Sequence, residues 1–201
     1  MTNALAAKPS KYDIRREAVL DAAASVFAQL GYHGASTNLI AERVGIRQGS
    51  LYYYCTSKEE ALREVCLTGV GDFLAGLTEI ATSSEPIEAK LRAAILNHLR
   101  PIMDRTDYVH TFITQRQFLP EASRKSVGRQ ARQYEKTLVD MLRQGVLDGT
   151  LREDLDCELT ALGLLGECNA ISAWHGKRAK GYSIERVADA IATRFLTGIQ
   201  K

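Results

Sequence analysis

The chain has 201 residues, 45% of them hydrophobic, and 26 Lys and Arg stand against 24 Asp and Glu for a formal net charge of +2. That composition supports one sizeable core, or a small domain joined to a larger one, and the near-neutral balance does not by itself announce a polyanionic partner. The whole surplus falls in residues 1–63, where eight bases (Lys8, Lys11, Arg15, Arg16, Arg43, Arg47, Lys58, Arg63) meet six acids (Asp13, Glu17, Asp21, Glu42, Glu59, Glu60).

In chain order, residues 1–11, with Pro9 and Ser10, read as a flexible tail. Ile14, Ala18, Val19, Ala22, Val26, Phe27 and Leu30 then recur at helical spacing, and Gly31 reads as a stop, which predicts an amphipathic helix over 13–30. Ser36-Thr37 opens a very short second helix ending at Gly45, a third runs from about Arg47 to Tyr53, and Thr56 or Ser57 caps a fourth with Glu59 and Glu60 in its first turn. Beyond "SSEP", helices are expected at about 86–105, 107–119, 122–148, 157–175 and 183–199, divided by Pro120, "DGTLREDLD" and "HGKRAKGYS". β-branched alternation is absent, so the expected fold is all-α with eight or nine helices.

No uninterrupted apolar run approaches the roughly 18 residues of a membrane helix, and no secretory leader is evident. The four cysteines, at 55, 66, 157 and 168, form no Cys-x-x-Cys pair, which suits reduced thiols in a cytoplasmic protein. Their repeated spacing leaves open either a redox pair or buried small hydrophobes.

The stretch "TNLIAERVGIRQGSLYYYCTSKEEAL", residues 37–62, carries the most specific signal. Two helices crossing steeply need a small residue at the contact, a residue tolerant of a left-handed turn, and apolar residues pointing back at the crossing. Ala41, Gly45 and the trio Ile40, Ile46 and Leu51 meet those demands as a helix-turn-helix. With Leu51 inward, Tyr54 and Cys55 share its face and Tyr52 and Tyr53 turn to the side, where their hydroxyls reach either phosphate oxygens or neighbouring protein. Arg47, Gln48 and Ser50 begin the third helix, the part that enters the major groove in such motifs; Arg suits guanine and Gln adenine.

"REAVLDAAASVFAQLGYHGASTNLIAERVGIRQGSLYYYCTSKEEAL", with its F-x-x-x-G-Y-x-G-x-S passage and G-S-L-Y-Y-Y-x-x-S-K-E-E-A-L ending, resembles the TetR family of bacterial transcriptional regulators over about residues 15–65. The resemblance implies a three-helix DNA-binding domain over 12–63, with Thr37 and Lys58 at helix N-termini touching phosphates beside Tyr52 and Tyr53. It also implies a larger helical domain over 64–201 that dimerises and takes a small ligand. Cys55 stands where family members usually carry phenylalanine. Double-stranded operator DNA, a small-molecule effector and a second copy of the chain are the implied partners; no membrane, metal or cofactor is called for.

"LTALGLLGECNAISAW", residues 159–174, is apolar nearly all round, which fits a dimerisation helix or a buried helix of a monomer. "VADAIATRFLTGI" carries a second broad apolar face. The candidates for lining a ligand pocket are Phe73, Leu77, His98, Met103, Phe112, Phe118, Tyr134 and Trp174. Residues 139–156 resemble locally the corresponding stretch of members that sense fatty-acyl or steroid-derived coenzyme A thioesters. Arg116, Arg124, Lys125, Arg129 and Arg132 offer charge to a phosphate-bearing ligand or form a solvated face. The chain has no Gly-x-Ser-x-Gly elbow, phosphate-cradling glycine loop, His-Glu-x-x-His or cysteine metal set, so the reading is not an enzyme. A repressor is the family default, an activator is the alternative, and a helical module that no longer binds DNA is disfavoured by the presence of Gly45, Tyr52 and Lys58.

Overall fold

A computed structural model of the chain describes residues 10–174 and 181–201, without the side chains of Asp72 and Trp174. The expected tail before Ser10, most of "HGKRAKGYS" and the Trp174 ring lie outside the described residues. Among the described residues the chain forms nine α-helices and one three-residue 3-10 turn.

α1 (Lys11–Gly34) begins two residues before the apolar periodicity, because Ser10 and Asp13 cap each other's backbone N–H groups. Gly31, at φ +68°, kinks the helix rather than ending it, and one further turn reaches Gly34. α2 (Thr37–Val44) starts where Ser36 Oγ accepts from Leu39 N–H and stops at Gly45 in the left-handed region, φ +76°. α3 (Gln48–Leu51) is shorter than the periodicity suggests; the chain tightens after Leu51 into a turn in which Tyr54 and Cys55 N–H both donate to Leu51 O. Ser57 caps α4 (Lys58–Thr82), while Thr56 is tied to Glu60.

α5 (Ile87–Asp104), α6 (Thr106–Gln115), the 3-10 turn Arg116–Phe118, α7 (Glu121–Leu147), α8 (Cys157–Trp174) and α9 (Ile184–Ile199) complete the order. The helix expected over 107–119 thus ends at Gln115 and tightens before Pro120, which disfavours helical geometry in the residue ahead of it.

Two cores result. Val19, Val26, Phe27, Ile40, Ala41, Leu51, Cys55, Leu62 and Val65 fill the first; Leu91, Ile95, Leu99, Leu138, Leu142, Leu164 and Leu196 anchor the second. α4 belongs to both. It is long and apolar enough to cross a membrane by length and composition, but Ala61, Leu62, Val65 and Cys66 are buried in the first core and Leu77 in the second. A division between residues 63 and 64 therefore falls inside a continuous helix, and Tyr108, Leu119 and Val127 pack into the first core from the far side of it. All four cysteines are free thiols, and burial pushes Cys55 up to about 11 and Cys66 and Cys168 to about 12, as suits small hydrophobes rather than reactive thiolates.

Candidate nucleic-acid interface and effector cavity

The turn between α2 and α3 is closed by the N–H of Gly45 donating to Ala41 and Glu42 carbonyls and that of Ile46 donating to Ala41 O. With Ile40, Ala41 and Leu51 buried, this geometry leaves Arg47, Gln48, Ser50, Tyr52 and Tyr53 exposed on one surface. Gln48 Nε2 donates to Thr37 Oγ1 at 3.2 Å and lies 3.4 Å from the Tyr52 hydroxyl, so three of the expected DNA contacts form one linked set and Gln48 Oε1 stays available. Tyr53 is 73% exposed, while Tyr54 is half-buried and stacked on Tyr12 at 5.5 Å. The three tyrosines divide as their helical positions suggest.

Lys58 has a second role. Its position at the start of α4 is as expected, but its ammonium donates to Tyr32 O at 3.0 Å and Ala35 O at 3.1 Å and lies 4.3 Å from the centre of the Tyr32 ring. The Tyr32 hydroxyl in turn donates to Glu59, which pushes its pKa up to about 12. Lys58 staples the end of α1 to the start of α4, a role that the sequence does not announce and that stands beside the expected phosphate contact.

In the second unit, α4, α5, α6, α7 and α8 line a half-open, mainly apolar cavity of about 360 Å³. Phe73, His98, Phe112 and Tyr134 line it, as expected. Leu77 does not, being wholly buried in the second core; Met103 lies half-exposed at the α5–α6 turn; Phe118 stacks on Tyr32 at 5.6 Å at the junction of the two units. The lining also includes Val109, Ile113, Leu162, Leu165 and Asn169. Asn169 shares an otherwise apolar run with Thr160, Glu167 and Ser172, so polarity alone does not single it out, and the aliphatic residues carry no signal that separates cavity wall from core. Through Arg116, Ala131 and Glu135 the cavity adjoins a groove of about 430 Å³ whose lining adds Arg124 and Arg132, two of the five basic residues singled out for a phosphate-bearing ligand. Arg116 lies over the Phe112 ring at 4.7 Å.

α6 faces both ways. Val109, Phe112 and Ile113 line the cavity, while Tyr108 donates to Asp21 at 2.8 Å, Thr111 Oγ1 to Ala24 O at 3.2 Å, and Gln115 Oε1 accepts from Tyr32 N–H at 2.8 Å beside the Gly31 kink. A wall of the cavity is thus bonded directly to the helix that carries the helix-turn-helix.

A helix-turn-helix with an exposed polar surface, joined through a shared helix to a half-open apolar cavity, defines a ligand-responsive DNA-binding transcriptional regulator. Residues 19–65 match the family model of bacterial regulatory proteins of the tetR family, and residues 84–199 that of the tetracyclin repressor-like C-terminal domain. The chain belongs to the TetR family. It is 32% identical over 154 residues to the HTH-type transcriptional repressor KstR2 of Mycolicibacterium smegmatis, covering 75% of this chain and 74% of the relative. It is 25% identical over 183 residues to the fatty acid metabolism regulator protein of Bacillus subtilis, covering 90% and 93%. The solved structure of the ketosteroid transcriptional regulator KstR2 of Mycobacterium tuberculosis superposes with a TM-score of 0.85 at 26% identity, over 93% of this chain and 95% of that one.

Proposed function

We propose that the protein is a homodimeric repressor whose operator complex is released by an acyl thioester of the coenzyme A type. The observation that carries this is the junction of an apolar cavity with a groove bearing Arg116, Arg124 and Arg132, for which no ion-pair partner exists among the described residues. An acyl chain in the cavity and a phosphate-rich head along the arginines would satisfy both surfaces, since guanidinium groups match phosphate geometry. The name of the Bacillus subtilis relative agrees with a fatty-acyl ligand. Filling the cavity presses on α6, and through its bonds to α1 shifts the reading heads; coupling of this kind is typically about 1–3 kcal/mol.

The homodimer reading rests on α8 and α9. Leu159, 67% exposed, Gly163, Ala170 and Ala173 form one exposed stripe of α8, bordered on the cavity side by Leu162 and Gly166, with Ala190 and Gly198 exposed on α9. Small residues let a second copy approach closely, and a two-fold pairing covers the stripe on both chains.

Titration of octanoyl- and palmitoyl-coenzyme A against the protein on labelled operator, with Arg116→Ala and Arg132→Ala variants alongside, tests the reading. Release of DNA and a raised Tm are expected, with both effects weakened by losing either arginine. Unchanged Tm and DNA affinity across the acyl series would overturn the thioester assignment, and sedimentation of monomer alone at micromolar concentration would overturn the dimer.

A further inference from the structure

His98, Tyr134 and Asn169 form a linked polar set in the wall of an otherwise largely apolar, half-open cavity, with His98 and Tyr134 buried and Asn169 exposed at its mouth. His98 is only 8% exposed, and its Nε2 lies 3.2 Å from Asn169 Oδ1. That oxygen only accepts, so Nε2 carries the ring proton and Nδ1 accepts from the Tyr134 hydroxyl at 3.0 Å. Burial keeps the ring neutral, lowering its pKa from 6.5 to about 4. Both ring nitrogens are therefore used up, and the imidazole holds its two neighbours in fixed orientations.

The unused capacity lies at the ends of the set. Asn169 Nδ2 has two N–H groups with no protein partner among the described residues, and the Tyr134 oxygen, donating to His98, retains an acceptor site. Both side chains line the cavity. The fold does not require this arrangement, because apolar side chains of equal shape hold a helix interface about as well as a paired polar set. α5, α7 and α8 already meet through Ile95, Leu99, Leu138, Leu142 and Leu164.

We infer that His98, Tyr134 and Asn169 form a subsite for a hydrogen-bonding oxygen within the apolar part of the effector, so that the preferred ligand carries a keto or hydroxyl group on its acyl portion and is not a plain saturated chain. The inference deepens the thioester reading and rests on it for the nature of the head group alone. A saturated chain strips water from Asn169 Nδ2 and returns nothing; an oxygen at that point accepts from Nδ2, and a hydroxyl also donates to Tyr134. Asn169 and Tyr134 line the apolar cavity and not the arginine groove, whereas Arg116 lines both, which separates this oxygen from the phosphates of the head.

Two matched pairs test the subsite on the full-length protein by calorimetry: 6-oxooctanoyl- against octanoyl-coenzyme A, and cyclohexanone against its isostere methylenecyclohexane. Wild-type protein should prefer each ketone severalfold, because the hydrocarbon partner covers the Asn169 donor without pairing it. Asn169→Leu should abolish that preference by weakening the ketones while holding the hydrocarbon partners at least as tightly. Asn169→Asp, which keeps the shape but cannot donate to a ketone, should do the same. Equal binding of both members of each pair by the wild type overturns the subsite. So does a loss on Asn169→Leu shared equally by octanoyl- and oxooctanoyl-coenzyme A, which would place the thioester carbonyl there instead. Discrimination within the uncharged pair with no binding of either thioester supports the subsite and sinks the coenzyme A head; binding by neither pair overturns both.

Discussion

Replacing Lys58 by Ala separates two roles that one ammonium group at a helix start can play. Its side chain is half-buried and donates to the Tyr32 and Ala35 carbonyls with the Tyr32 ring beneath it. Hydrogen bonds from a charged donor are worth about 1.5–3 kcal/mol each when buried, and a cation over an aromatic face about 0.5–1 kcal/mol at exposed sites. Water reaches the freed carbonyls of a half-buried site, so the net loss should be about 1–3 kcal/mol. At roughly 2–4 °C per kcal/mol for a chain of this size, Tm should fall by about 2–12 °C. DNA affinity should drop on operator and scrambled duplex alike, because α1 and α4 no longer hold the reading unit in one orientation. Differential scanning calorimetry, with fluorescence anisotropy on both duplexes at several salt concentrations, measures both effects. An unchanged Tm together with a salt slope reduced by about one unit would mean that the ammonium meets a phosphate and that the staple contributes nothing.

If Gln48 reads a base, as its exposed place at the start of α3 suggests, Gln48→Ala should cost roughly 1–3 kcal/mol on the true operator and little on random DNA; equal losses on both would place the reading elsewhere. Gly45→Ala should destabilise by about 1 kcal/mol in urea titration: a Cβ meets nothing within 4 Å, so the cost comes from φ +76° and not from crowding. His98 has a folded pKa depressed below 6.5 to about 4. Above pH 6.5 it is neutral in both states and contributes nothing to pH dependence; as pH falls through the window from 6.5 to about 4 the unfolded chain takes up a proton that the folded one refuses, removing up to roughly 3 kcal/mol. His98→Gln should flatten that part of the stability profile, and an unchanged profile would refute the neutral buried imidazole.

Elements defined by local chemistry were legible. Ser36, Gly45 and Ser57 mark helix ends through their own side chains or backbone freedom, and each end falls where they stand. The split among Tyr52, Tyr53 and Tyr54 follows from helical angle once Leu51 is inward. What escaped depends on residues distant in sequence. Lys58 finds its carbonyls 26 and 23 positions away, and nothing near it announces them. Phe112 and Phe118 look alike in the sequence, yet one lines the cavity and the other stacks on Tyr32, since the chain tightens into a 3-10 turn between them and their helical phase is lost. Leu77 and Phe73 are one turn apart on α4, and only the packing of α5 and α7 decides which of them meets open space.

The first core is closed by Tyr108, Leu119 and Val127, residues that follow α5 and lie more than forty positions beyond the helix-turn-helix. The reading head is therefore an unfinished tertiary unit. Exchange of such heads between relatives, whether by recombination or in the laboratory, must carry α6 and the first turns of α7 along or find a recipient whose corresponding surface already fits. The same shared wall makes the two units poor candidates for separate unfolding steps, because opening the cavity exposes apolar side chains of the head as well.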